Sequence, residues 1–129
     1  MKIMMYYDGT DCTREALPVV MMRAKAFNAE VHVVSSLPSG EEKDQDAIDR
    51  MNDDLDYIRG VFAREQVPCE THLLITGHRL EDDIAAFTRK HEVDEVIIGT
   101  DRRSLFERFF KGWTARRVIG STRCPVLVA

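Results

Sequence analysis

Short β-branched runs alternate along this chain with longer stripes of helical period, which predicts an α/β protein built on a doubly wound parallel sheet with helices on both faces. Three observations carry that prediction. Val31-His32-Val33-Val34 and Val96-Ile97-Ile98 are apolar, β-branched and too short for helices. Ile48, Met51, Leu55, Ile58 and Phe62 recur at three and four residues, the spacing of one helix face. The first strand, helix and second strand fit within about 35 residues, a βαβ unit that favours parallel pairing and a right-handed crossover.

The 129 residues, 44% of them hydrophobic and 31% charged, suffice for one domain around one core, spanning residues 1–129. No apolar run approaches the ~20 residues that span a bilayer. The start, Met1-Lys2-Ile3-Met4-Met5, enters a strand pattern without a signal-cleavage site, so the expectation is a cytoplasmic protein with no membrane partner. Cys12, Cys69 and Cys124 are odd in number and widely spaced, the pattern of free thiols rather than of a disulfide framework or a paired metal motif. The net charge of −4 is unevenly spread. From Gly99 onward stand seven cations (Arg102, Arg103, Arg108, Lys111, Arg116, Arg117 and Arg123) against two acids, Asp101 and Glu107. A basic patch of this kind attracts phosphates. Nucleic acid is not expected as a partner, because the acidic remainder of the domain repels it.

In chain order, Lys2 to Tyr7 reads as a buried first strand that stops at Asp8-Gly9-Thr10-Asp11. Thr10, Asp11 or Thr13 can cap the next helix, whose apolar positions are Leu17, Val20, Met21, Ala24 and Phe27. Pro18 removes one backbone donor and either kinks that helix or delays its start. Asn28 ends it, and Val31 to Val34 is the second strand. The acidic run Glu41 to Asp46 leads into the long helix with the Ile48 to Phe62 stripe. Pro68 closes that segment, and Cys69 to Ile75 is the third strand. A helix from about Arg79 to His91 places Leu80, Ile84, Phe87 and His91 on one side, with Glu81, Asp82 and Asp83 at its positive dipole end. Glu95 to Gly99 is the fourth strand, Trp113 to Ser121 a last helix, and Pro125 to Val128 the fifth strand.

Ligands in such sheets collect at the carboxyl ends of the strands. Here those ends are Asp8-Gly9-Thr10, Ser35-Ser36, Thr76-Gly77 and Gly99 to Arg103. The chain has no GxGxxG after the first strand and no GxxxxGK[ST], so a dinucleotide fingerprint and a P-loop are both absent. A receiver domain would need an acid where Ile75-Thr76-Gly77 stands, and Asp8 and Asp11 would repel the phosphate of a flavin mononucleotide.

Asp8-Gly9-Thr10 with Glu15-Ala16-Leu17, the strand Val31-His32-Val33-Val34 and the closing Cys124-Pro125-Val126-Leu127-Val128 together resemble the universal stress protein family over essentially the whole chain. The resemblance implies strand order 3-2-1-4-5. The nucleotide-binding branch of that family carries Gly, two residues, Gly, nine residues, then Gly and Ser or Thr. Gly99 and Gly112 fill the first and third of those positions, whereas Arg102 replaces the second glycine and Trp113 the hydroxyl, with Thr114 one residue later. An Arg obstructs the close backbone approach that glycine permits but offers a cation fork to the same oxygens.

The resemblance implies ATP or AMP as ligand, with Mg²⁺ accompanying ATP, and positions for each contact. Asp8 would approach the ribose. Val34 would offer backbone groups to the adenine edge, while Ile98 and Gly99 would line the floor. Arg102, Arg103 and the amides of Gly112, Trp113 and Thr114 would face the phosphates. No nucleophile, base and orienter occur together, so no catalytic residue is assigned and any ATPase activity would be slow. His32 and His72 lack a Cys, Asp or Glu at ligand spacing and are read as packed or surface histidines, with no metal assigned. His78 stands nearer the ligand edge, and Cys12 near a helix start is a weak redox candidate. Leu105-Phe106-Glu107-Arg108-Phe109-Phe110 is too apolar to leave exposed. A homodimer through this segment and the last strand covers it, as the family also implies. Two readings remain: a nucleotide-sensing stress-response module, and a nucleotide-free dimeric interaction protein whose pocket Arg102 and Trp113 have closed.

Overall fold

β1 (Lys2–Tyr6) lies inside the sheet, with β2 (Glu30–Ser36) paired on one side and β4 (Glu95–Ile98) on the other, both parallel to it. The computed structural model describes residues 1–37, 45–99, 124 and 126–128. β3 (Cys69–Leu74) pairs with β2, so four strands follow the expected order 3-2-1-4. Of the fifth strand expected at Pro125 to Val128, Val126–Val128 are described as a strand, β5, and pair with Val96, Ile97 and Ile98. The helix expected over Trp113 to Ser121 and the apolar segment 105–110 lie outside the described residues. None of the described helices is long and apolar enough to cross a membrane.

Alternation along the strands feeds two cores. Ile3, Met5, Tyr7, Val31, Val33 and Ile97 face one side, where α2 (Leu17–Phe27) contributes Val20 and Ala24, and α3 (Gln45–Arg64) contributes Met51, Leu55, Ile58 and Phe62. Met4, Val34, Val96 and Ile98 face the other, against Ile84 and Phe87 of α4 (Leu80–Lys90). Helices therefore cover both faces, as a parallel sheet requires. Ile3, Met4 and Met5 have no exposed surface at all. That explains why β1 reads as an unbroken apolar run rather than as an alternating one.

Pro18 divides the expected first helix in two. α1 (Asp11–Glu15) ends at Ala16, and α2 starts at Leu17 with the proline in its first positions, where a missing N–H leaves no bond unmade. Thr10 occupies the N-cap of α1, yet its side chain makes no cap bond to the helix. Asn28 closes α2 in the left-handed conformation, φ 50°, as its short polar side chain allows. Phe27 departs from the expected core stripe: it is 52% exposed at the last position of α2, with the Arg23 guanidinium 5.3 Å from its ring centroid. The same Arg23 reaches the start of β4, where Nη2 donates to Glu95 Oε2 at 2.6 Å and Nε donates to Oε1, closing a bidentate fork. A nearly buried carboxylate is thereby paired in the geometry that favours Arg over Lys.

α3 illustrates how one helix separates core from surface. Phe62 is fully buried, while Tyr57 is 66% exposed. Phe62→Ala is expected to lower unfolding stability by about 3–5 kcal/mol, and Tyr57→Ala to change it by less than about 0.5 kcal/mol; urea denaturation of the two variants measures both.

Candidate functional site

The loop after β1 is organised by one carboxylate. Asp8 Oδ1 accepts from the backbone N–H of Thr10 at 2.9 Å and from the Thr10 hydroxyl at 2.6 Å. The buried Thr13 hydroxyl lies 3.0 Å from the same oxygen and 2.9 Å from the Thr10 carbonyl. Gly9 supplies the tight turn with φ +84°, a conformation that a side chain would strain. An Asp two residues before an N–H is the usual way such a loop closes on itself. Asp8 thus seats the loop that leads into α1, at the carboxyl edge where a ligand would lie.

Gly99 meets α1, the helix into which that loop leads. A Cβ on Gly99 would stand only 2.4 Å from the Cys12 carbonyl oxygen and 2.9 Å from Ala16 Cβ. The chain leaving β4 therefore passes against α1 at backbone contact, which only glycine permits. Ile98, the residue before it, is buried in the second core. Val34 lies inside β2 rather than at its end. Its register partners are Tyr6 and His72, and its carbonyl accepts from the Tyr7 N–H at 2.9 Å. Asp8 and Gly99 are thus brought to one edge, with Val34 set back into the ladder. Arg102, Arg103, Gly112, Trp113 and Thr114 lie outside the described residues.

Two polar clusters at this edge were not anticipated. Asp83, in the first turn of α4, accepts from the Ser36 hydroxyl at 3.0 Å and from the Thr76 hydroxyl at 2.8 Å. It thereby ties the ends of β2 and the β3–α4 loop to the helix. The Thr76 hydroxyl also accepts from the His78 N–H at 3.2 Å, whereas the His78 ring is exposed, with Nδ1 3.8 Å from Asp83. The sequence signal for Asp83 was its place at a helix start, which suggests a dipole partner and hides the two hydroxyls it receives. The second cluster lines a groove between α1, α2 and α3, where the Tyr7 hydroxyl donates to Asp54 Oδ2 at 3.0 Å and Arg14 Nε donates to Tyr7 at 3.4 Å. Burial pushes the Tyr7 phenol above its ordinary pKa, and Asp54 adds to the rise. Tyr7 follows the strand and shows no motif, so only the packing of α3 against it reveals the contact.

This edge presents the carboxylates of Asp8 and Asp83, the hydroxyls of Thr10, Thr13, Ser36 and Thr76, and backbone turns around the mouth of the sheet, with β1 and β4 side by side at its centre. Such an arrangement suits a polyhydroxylated small molecule better than an apolar one. Comparison with known proteins agrees with the topology. The family model described as universal stress protein family matches residues 1–129. A universal stress protein of Thermus aquaticus is 28% identical over 132 residues, covering 98% of this chain and 96% of the relative. The solved structure of a universal stress protein from Archaeoglobus fulgidus superposes with a TM-score of 0.82 at 27% identity, over 99% of this chain and 92% of that one. A structure of the Archaeoglobus fulgidus universal stress protein in complex with dAMP gives a TM-score of 0.78 at 27% identity, over 99% and 96% of the two chains.

The contact at Gly99 is the most sensitive point of the edge. Gly99→Ala is expected to cost about 1–3 kcal/mol of stability through overpacking against the Cys12 carbonyl, read as a lowered denaturation midpoint at unchanged slope.

Proposed function

As a member of the universal stress protein family, the family to which this chain belongs, the protein is one that we propose to be a regulatory stress-response module binding an adenine nucleotide, ATP or AMP, at the carboxyl edge of its sheet. The observation that carries this reading is that Asp8 and Gly99 follow two adjacent central strands, with Gly99 packed on the helix that the Asp8 loop enters. The acid expected at the ribose and the glycine expected at the floor of the site thus stand just past adjacent strands. The dAMP bound by the Archaeoglobus fulgidus relative supports the ligand class.

In this reading Asp8 receives a ribose hydroxyl, Ile98 and Gly99 form the floor, and Val34 flanks the base. Arg102, Arg103, Gly112, Trp113 and Thr114 face the phosphates, with Mg²⁺ accompanying ATP. Arg102 supplies a guanidinium fork where a glycine would admit the backbone, so phosphate recognition shifts from backbone amides toward side-chain charge. A specific feature favours a second reading. Trp113 replaces a hydroxyl with a bulky ring, and a pocket closed by it and Arg102 leaves a nucleotide-free protein that acts as a homodimer through β5 and segment 105–110.

Calorimetric titration with ATP and with AMP, each with and without Mg²⁺, separates the two. A dissociation constant of about 1–100 μM is expected, corresponding to roughly 5–8 kcal/mol, and no heat at millimolar nucleotide rejects the nucleotide-binding reading. Asp8→Asn keeps an oxygen for the Thr10 N–H but removes the charge that a ribose hydroxyl would meet. It is expected to weaken AMP binding about tenfold, with little change in melting temperature. Where wild-type binding is absent, the double variant Arg102→Gly, Trp113→Ser is expected to create it.

A further inference from the structure

Toward the amino ends of β2 and β3, away from the nucleotide edge, three imidazoles and two carboxylates converge. Along β2, His32 stands four residues before Ser36, about 13 Å at the rise of an extended strand. Its register partner on β3 is Glu70, and Val34 is the partner of His72. Alternation therefore puts Glu30 and His32 of β2 on the same face as Glu70 and His72 of β3. Sequence reasoning treated the two histidines as lacking an acid at ligand spacing. The structure corrects this: Glu-x-His occurs on both strands, and parallel in-register pairing brings the two copies together.

We propose that His32, Glu70 and His72 form a binding site for a divalent transition cation of the Zn²⁺ class. The donor atoms lie on a compact triangle. His32 Nδ1 is 3.1 Å from His72 Nε2, and Glu70 Oε2 is 3.5 Å from the first and 3.6 Å from the second. Zinc bound tetrahedrally at about 2.0–2.1 Å spaces its ligands roughly 3.3 Å apart, within a few tenths of all three separations. A hydrogen bond between the two rings accounts for the first distance. It does not account for Glu70, whose oxygen lies beyond hydrogen-bond range of both nitrogens yet is equally placed to each.

The other nitrogen of His32 is held in the manner of a metal ligand. Glu30 Oε1 stands 2.8 Å from His32 Nε2. A carboxylate there only accepts, so Nε2 carries the proton and the Nδ1 lone pair is turned to the triangle. His32 is 3% exposed, so its ring is fixed by packing rather than by solvent. Phe87 of α4 and His91 at its C-cap close the roof, their rings stacked at 4.1 Å, with the His91 centroid 5.4 Å from that of His72. The fourth corner falls to water. Two imidazoles and one carboxylate suit zinc, nickel or copper and not magnesium or calcium, which take oxygen ligands alone. Bound metal would clamp β3, the edge strand, to β2 and to no other element.

The test uses the full chain, stripped with a chelator and titrated with Zn²⁺ against a chromophoric competitor. One equivalent is expected to bind with a dissociation constant of about 1 μM or below, and Co²⁺ in its place is expected to give the intense visible bands of a tetrahedral site. Glu70→Gln alters an exposed residue and leaves the fold intact; it is expected to weaken zinc about tenfold, and His72→Gln about 100-fold. Zinc is expected to raise the melting temperature of the wild type more than that of either variant. AMP titration is expected to be unaffected by Glu70→Gln, so the two sites stand or fall separately. Absence of stoichiometric zinc, a six-coordinate cobalt spectrum, or zinc binding that both variants leave within about twofold of wild type would overturn the proposal.

Discussion

A parallel sheet has no face that tolerates water, and every other feature of this protein follows from satisfying that condition. β1 is paired on both sides and buried above and below. Its helices must therefore divide between the two faces, α2 and α3 on one and α4 on the other. Once they do so, all strands point the same way and their carboxyl ends share one rim. Polar residues at that rim have few alternatives to each other. Asp8 closes its own loop, and Asp83 gathers hydroxyls from β2 and from the turn after β3.

Residues at that rim serve the fold and the proposed ligand at once. Asp8 is a loop-closing acid by its observed bonds, and nothing in those bonds conflicts with a ribose contact, since a carboxylate has about four acceptor positions. Gly99 has a packing reason to be glycine that is independent of any phosphate: the Cys12 carbonyl occupies the space of its Cβ. Gly99 therefore needs no ligand to account for its residue type, whatever Arg102 and Trp113 do in the pattern that the family resemblance implies. The amino-end cluster of histidines is governed by a different requirement. It spans β2 and the edge strand β3, where Glu70 remains exposed while His32 and His72 pack against Phe87 of α4.

Much of this was legible because it depends on local periodicity. The strands at Val31 and Val96, the α3 stripe and the end of α2 at Asn28 are set by neighbours within one or two turns of chain. Pro18 announced a disturbance, and its place at the start of α2 follows from a missing donor rather than from any distant contact. Phe27 was misjudged for a reason that is not local. Its spacing matches the core stripe, but at the last position of α2 the ring lies half-exposed with the Arg23 guanidinium beside it instead of in the interior.

What the sequence by itself determined was the α/β class, the alternation of elements and the family, through patterns of two, three and four residues and one spaced glycine motif. What only the tertiary structure decided were the partnerships. Asp83 with Ser36, Tyr7 with Asp54, Gly99 with Cys12, and His32 with Glu70 and His72 join residues whose separations carry no periodic signal. Parallel pairing sets such contacts through a crossover helix, so the register of one strand on the next is fixed by how that helix packs and not by any turn between them.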